Sequence, residues 1–311
     1  MHASAAILAF ALTLALSAPV PLHAQEQDAQ PRFRASVDVV TIAAVVRDKQ
    51  GRVVPTLTKD DFTVLDGGQT RPIVEFQPDS NGPISVALLI DGSGSMRQSS
   101  AISKRVGETL LNLLNARSDD VALMSFDTRL LTLREFSGSV EHVRSGLKEL
   151  NAFGATSIYD AIAGASAVVA ERARNRRAVI VLTDGADNWS SYTPQEVAWI
   201  ASTIDVPVYV FAVMETTPEA SEIKDKAKAT TPPNPLAELA RATGGDYFVA
   251  GSPALAVTGI IRLVEELRHQ YLIAFEPSAA QGMRQLVIKT RKNDLRVSSR
   301  RWYTSGAISQ Y

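Results

Sequence analysis

The sequence of 311 residues contains no cysteine. Disulfides, thiolate metal sites and a cysteine nucleophile are therefore excluded, and so is a lipid anchor attached at a cysteine beside a cleavage site. Histidine is scarce. Two of the four lie in the first 24 residues, leaving His142 and His269 for any imidazole chemistry. Charge of one sign is also lacking. The 32 Lys and Arg against 33 Asp and Glu leave a formal charge of −1, so no basic face is signalled for nucleic acid, nor an acidic or membrane-surface partner. After residue 24 no apolar run approaches the roughly 20 residues that a bilayer-crossing helix needs.

Residues 1–24, "MHASAAILAFALTLALSAPVPLHA", carry no Asp, Glu, Lys or Arg. An apolar stretch from Ala5 to Leu16 precedes Pro19, Pro21 and Ala24. This is expected to be a secretory signal peptide cleaved after Ala24, which makes the mature protein exported, periplasmic or secreted. The alternative is an uncleaved anchor helix, for which the apolar core is short. Residues 25–33 are polar and expected to be flexible.

The rest changes grammar twice. Residues 34–77 are rich in β-branched residues and turn signals. They predict strands in "SVDVVTIAAVVR" and an extended "RVVPTL". Two short strands are expected around Asp66-Gly67-Gly68 in "DFTVLDGGQTRPIVEF". Over residues 83–269 buried strands alternate with helical segments. Strands are expected at 84–90, 120–126, 130–136, 177–183, 207–213 and 246–250. Helices are expected at about 97–116, 139–150, 157–173, 194–203, 235–242 and 253–269. Such alternation argues an α/β fold with a doubly wound, mostly parallel sheet flanked by helices. A Thr/Pro-rich connection at 215–234 is long for a loop. Residues 270–304 return to strands, in "YLIAFEP", "RQLVIKT" and "LRVSSRRWY". Neither terminal β segment is large enough to bury its own core, so the two are expected to pair into one small accessory β module with the α/β domain inserted between them.

Functional chemistry is concentrated where the first strand of the α/β domain stops. "ISVALLIDGSGSM" (84–96) ends an apolar run in Asp91 and continues into glycines and serines. In a doubly wound sheet, ligands bind outside the carboxyl ends of the strands. Gly92 and Gly94 allow a tight turn, and Ser93 and Ser95 bring hydroxyls towards the same point. "TDG" (183–185) puts Asp184 in the same relation to its own strand, and "GATSIYDA" (154–161) opens a helix with Thr156 near its first turn. Two carboxylates and three hydroxyls on three loops suit a hard divalent cation. Read singly, "DGSGS" is also a capped turn.

In this order, Asp91-x-Ser93-x-Ser95, Gly154-x-Thr156 and Thr183-Asp184-Gly185 resemble the metal-ion-dependent adhesion site of von Willebrand factor A (VWA) domains, over about residues 83–269. The flanking β segments resemble those of exported bacterial VWA-related proteins. The resemblance implies a VWA/Rossmann-like fold and direct metal contact by Ser93, Ser95 and Thr156. Asp91 and Asp184 would act largely through water and hydrogen bonds to the hydroxyls. The implied metal is Mg²⁺, or Mn²⁺ or Ca²⁺. Neutral hydroxyls leave much of the cation's charge uncompensated, so the implied partner is a protein offering an Asp or Glu carboxylate. The implied function is non-catalytic, metal-dependent protein binding or adhesion.

Rival readings of the same residues are a non-catalytic extracytoplasmic scaffold or assembly factor with a structural or empty site, and a metal-dependent hydrolase. Gly92-x-Gly94 is followed by Arg97, so the dinucleotide fingerprint is incomplete, and no Walker A sequence occurs. An aspartyl-phosphate hydrolase would want a second acid where Ser93 stands. A serine hydrolase would need a histidine near the strand ends, and His142 and His269 fall in expected helices. Asp127, Asp187 and Trp189 are candidates for a partner-binding rim. Asp127 is read first as a turn residue before Thr128, and for the Asp187–Trp189 stretch packing against the neighbouring loop is an equally open reading.

Overall fold

The computed structural model describes residues 39–80, 82–97, 99–150, 154–172, 176–185, 187–213 and 234–306. The expected signal peptide, the polar segment 25–33, the first residues of the N-terminal β segment and the connection at 215–233 lie outside the described residues.

The α/β layer is a six-stranded sheet, ordered β10-β9-β8-β5-β6-β7. Its strands are β5 (Ile84–Asp91), β6 (Asp120–Phe126), β7 (Leu130–Ser137), β8 (Arg176–Thr183), β9 (Val208–Ala212) and β10 (Tyr247–Val249). All neighbours are parallel except β6 and β7. Every residue of β5 is buried, as expected for a strand covered on both faces. The period-two alternation sorts its side chains cleanly. Val86, Leu88 and Ile90 pack against α1 (Ser100–Leu113), α2 (Val140–Leu147) and the helix Pro253–Arg268, here α6. Ala87 and Leu89 pack against α3 (Ile158–Ala170), α4 (Pro194–Thr203) and the helix Pro235–Thr243, here α5. From β5 the chain first runs outward through β6 and β7, then returns to the other side of β5 through β8, β9 and β10. The order therefore reverses between β5 and β8. The crevice at that reversal, beyond the carboxyl ends, is where a ligand site is expected in such sheets.

The two ends of the chain build a second core between two four-stranded sheets, ordered β13-β1-β11-β4 and β14-β12-β2-β3. β1 (Val40–Arg47) pairs antiparallel with β11 (His269–Phe275), from Val40 opposite Phe275 to Ala44 opposite Tyr271. β2 (Phe62–Asp66) pairs antiparallel with β12 (Gly282–Thr290), Leu286 standing opposite Asp66. Each sheet thus mixes N- and C-terminal strands. Ile42, Val64, Ile273, Phe275, Leu286 and Tyr303 fill the space between them.

Three expectations need correction. "DFTVLDGGQTRPIVEF" forms three strands: β2, then β3 (Gln69–Arg71), then β4, which runs Ile73–Ser80. Pro72, which has no N–H to give to a ladder, marks the point where the chain leaves one sheet for the other. "LRVSSRRWY" is likewise split, into β13 (Arg296–Ser298) and β14 (Trp302–Ser305) in different sheets. Between them the buried Arg300 donates to Ser202 O and Thr41 O at 3.1 Å each, drawing the chain towards the α/β layer. His269 opens β11 opposite Ser80 and does not belong to a helix.

Candidate functional site

Asp91 is the last residue of β5 and Thr183 the last of the neighbouring β8. Thr183 Oγ1 donates to Asp91 Oδ2 at 2.6 Å, and Ser93 N donates to Asp91 Oδ1 at 2.8 Å. Thr183 Oγ1 in turn accepts from Gly185 N at 3.0 Å, so one hydroxyl shapes both the carboxylate and the following Asp184 turn. Gly92 N donates to Phe126 O at 2.7 Å, which fixes the start of the loop to β6. A 3₁₀ turn over Gly94–Arg97 then carries the chain towards α1.

Within this loop Ser93 Oγ and Ser95 Oγ stand 3.0 Å apart. Asp91 and Ser93 are both buried. Burial pushes the Asp91 carboxyl above its ordinary value, and the charge of Asp184 adds to the shift. The hydrogen bonds from Thr183 and Ser93 act against it without cancelling it. A carboxylate held in this state is one that a nearby cation would stabilise.

Gly94 N donates to Gly154 O at 3.3 Å, which ties the serine loop to the segment carrying Thr156. Gly154 has φ of 101°, a region that glycine enters without strain, and a Cβ there would sit 3.2 Å from Asp127 Oδ2. Thr156 itself is buried, and its N–H donates to Asn188 Oδ1 at 2.9 Å. The structure therefore links the loops of Asp91, Ser93, Ser95, Thr156 and Asp184 at the β5/β8 reversal.

The outer residues have other duties. Asp127 Oδ1 accepts from Arg129 N at 3.0 Å and from Thr128 Oγ1 at 3.2 Å, closing its own turn beside Gly154. Asp187 Oδ1 accepts from Ile158 N at 2.8 Å and from Ser190 Oγ at 2.6 Å. Ser190 Oγ also accepts from Tyr159 N at 3.0 Å. The N-cap residue Ser157 makes no side-chain cap bond, so the first turn of α3 is capped by a different loop. In exchange, Asp160 Oδ1 accepts from Ser191 N and Tyr192 N. Burial, followed by the Asp187 charge, raises the neighbouring Tyr159 hydroxyl above its ordinary range. Asp187 is thus committed to holding Thr156's helix in place. Trp189 remains 65% exposed on the same loop.

Sequence reasoning assigned no duty to Thr183 beyond its place in the motif, and none to Asn188 or Ser190. Caps supplied across space leave no periodic signal, so nothing in the local pattern marked the last two. Among the described residues no three His, Cys, Asp or Glu side chains gather as they would at a histidine- or carboxylate-rich metal centre. The donor set available is mainly hydroxyl oxygen. Beside Gly92 a cavity of about 380 Å³ opens, lined by Ser125, Phe126, Asp127, Leu130 and Leu131 among others.

Residues 86–186 match the model of the von Willebrand factor type A domain. No curated protein matches the sequence. Solved structures similar to the chain include a von Willebrand factor type A protein from Catenulispora acidiphila, at 14% identity and TM-score 0.48, covering 76% of this chain and 74% of that one. An aerotolerance-related membrane protein from Bacteroides fragilis is similar at 16% identity and TM-score 0.47, covering 59% and 98%. Proximal thread matrix protein 1 from the mussel byssus, solved with a zinc occupied MIDAS motif, is similar at 16% identity and TM-score 0.48, covering 64% of this chain and 48% of that one. The matched residues contain both the serine loop and the Thr183–Gly185 turn, and they lie within the doubly wound sheet: residues 86–186 are similar to a von Willebrand factor type A domain.

Proposed function

We propose that the rim at the β5/β8 reversal holds a divalent cation and binds a protein partner through an Asp or Glu carboxylate of that partner. The observation that carries this reading is the placement of Ser93 Oγ and Ser95 Oγ 3.0 Å apart beside a buried carboxylate. Adjacent ligands of an octahedral Mg²⁺ at about 2.1 Å lie about 3.0 Å from each other, so the two hydroxyls fit one coordination edge. Mn²⁺ and Ca²⁺ accept the same oxygen donors.

In this reading Ser93, Ser95 and Thr156 are the direct ligands. Asp91 orients the serine loop through Ser93 N, and with Asp184 it supplies compensating negative charge. Thr183 fixes the orientation of Asp91. Asn188 and Asp187 hold the Thr156 segment from behind. A bound cation supplies positive charge and a coordination position open to an anionic oxygen. The cavity beside Gly92, with Leu130 and Leu131 in its wall, gives the partner an apolar seat next to its carboxylate. Trp189, whose backbone N–H donates to Thr156 O at 3.1 Å, gives it an exposed aromatic surface beside the Thr156 segment. No bond needs to break for this function, and the protein acts as a non-catalytic adhesion or binding module outside the cytoplasm, in the periplasm or secreted.

One observation favours a scaffold reading: both oxygens of Asp91 already have donors within the protein, Ser93 N and Thr183 Oγ1. Partner capture from an extract of the native organism separates the two. Metal-dependent adhesion requires capture to fail in EDTA, to return with Mg²⁺, and to fail in folded Asp91→Ala. Capture that ignores both treatments establishes the scaffold.

A further inference from the structure

A second cavity, of about 630 Å³, opens between the strand module and the α/β layer. It includes Asp246, which immediately precedes β10, and so lies towards the amino ends of the parallel strands, away from the Asp91 rim. Its chemistry is cationic. Arg47, Lys49, Arg241, Arg262, Arg296 and Arg301 line it, against the two carboxylates Asp48 and Asp246. In a chain with a net charge of −1 this is a strong local surplus.

The acids within reach are already engaged. Asp48 is bound by Arg52 at 2.7 Å, and Asp246 by Arg47 at 2.7 Å. The buried Glu266 at the edge of the cavity accepts from Arg47 at 2.8 Å and from Arg262 at 3.1 Å. Arg241 and Arg301 share one carboxylate, that of Glu238, at 3.3 and 3.7 Å. Lys49 and Arg296 are exposed and have no ion pair among the described residues.

Part of this lining is fixed in place. The Asp48–Gly51 turn closes on Arg262: Gly51 has φ of 81°, and a Cβ there would lie 3.0 Å from the Arg262 guanidinium carbon. The same guanidinium lies 5.9 Å from the Phe248 ring centroid. Its Nε already donates to Glu266 and its Nη2 lies 4.0 Å from Asp246, so the Nη N–H groups are the donors left to match the oxygens of a phosphate or sulfate group. Cations stand on both walls. Arg47 and Arg296 come from the strand module, and Arg241 and Arg262 from α5 and α6. One singly charged group would not satisfy both walls.

We propose that this cavity binds a small polyanion carrying two or more phosphate or sulfate groups, which would bridge the strand module and the α/β layer. The volume falls within the roughly 300–1,000 Å³ of small-ligand sites.

The test is isothermal titration calorimetry of the full chain with pyrophosphate and with a sulfated disaccharide, in EDTA so that the cation rim takes no part. At least one probe should bind saturably with one-to-one stoichiometry and weaken as salt rises. Inorganic phosphate or sulfate should bind about tenfold more weakly or worse, since each lost charge-assisted contact is worth about a factor of ten or more. Lys49→Glu/Arg296→Glu should lose about tenfold or more in affinity at an unchanged melting temperature. Arg241→Ala provides a second variant should the first lose stability. Absence of saturable binding by both probes, or equal affinity in folded variants, overturns the proposal.

Discussion

Thr183 Oγ1 donates a 2.6 Å hydrogen bond to Asp91 Oδ2, joining the last residues of two adjacent parallel strands under the candidate cation rim. Thr183→Val keeps the volume and removes the donor. A buried carboxylate that loses one of its two protein donors costs about 1–3 kcal/mol. Urea unfolding should show that loss, and the rise in melting temperature on adding Mg²⁺ should shrink along with it.

Asp187 and Ser190 cap the first turn of α3 from another loop. Asp187→Ala should destabilise the protein by about 0.5–2 kcal/mol, the range for losing an N-cap. Trp189→Ala should leave stability within about 0.5 kcal/mol, because the side chain is 65% exposed, yet reduce partner capture. Denaturant melts of the two variants, paired with capture assays, separate support of the rim from contact with the partner.

Arg47 reaches from β1 to Glu266 of α6 and to Asp246 before β10. Glu266 is 1% exposed and keeps only Arg262 at 3.1 Å once Arg47 is gone, so Arg47→Met should cost about 1–3 kcal/mol. Arg47→Met/Glu266→Leu should recover much of that loss. Unfolding free energies around this double-mutant cycle give the coupling directly.

Two buried aspartates, Asp66 and Asp119, contribute to the acid limb of stability. Burial by itself pushes the Asp66 carboxyl up, but hydrogen bonds from Arg284 and Ser278 outweigh it and hold the group below its ordinary value of 3.8. Burial acts in the same direction on Asp119 and is outweighed by Arg268, Asn115 N and Ile84 N. A carboxyl whose folded pKa is depressed adds stability above its unfolded pKa and loses it as pH falls through the folded one. Unfolding free energy should therefore drop steeply below about pH 4. Asp66→Asn should be less stable at pH 7 and show a shallower acid limb in denaturant melts from pH 2 to 7.

The α/β alternation and the motif around Asp91 were legible because strand and helix periods are local and because Asp91 and Asp184 each follow a buried run. The pairing of the two terminal β segments was legible from their size, since neither could cover its own apolar face. The split at Pro72 was readable in principle, but which strands joined which sheet was not, because that choice depends on partners some 200 residues away, such as Leu286 opposite Asp66. The capping of α3 by Asp187 and Ser190, and the gathering of Lys49, Arg241 and Arg296 at one cavity, arise only once the chain has folded. No spacing in the sequence encodes them.

Crystals grown with Mn²⁺ and measured for anomalous scattering test the cation rim most directly. A peak within about 2.0–2.4 Å of Ser93 Oγ, Ser95 Oγ and Thr156 Oγ1, and lost in Asp91→Ala, is the predicted result. A well-ordered rim without a peak at saturating Mn²⁺ would contradict the account.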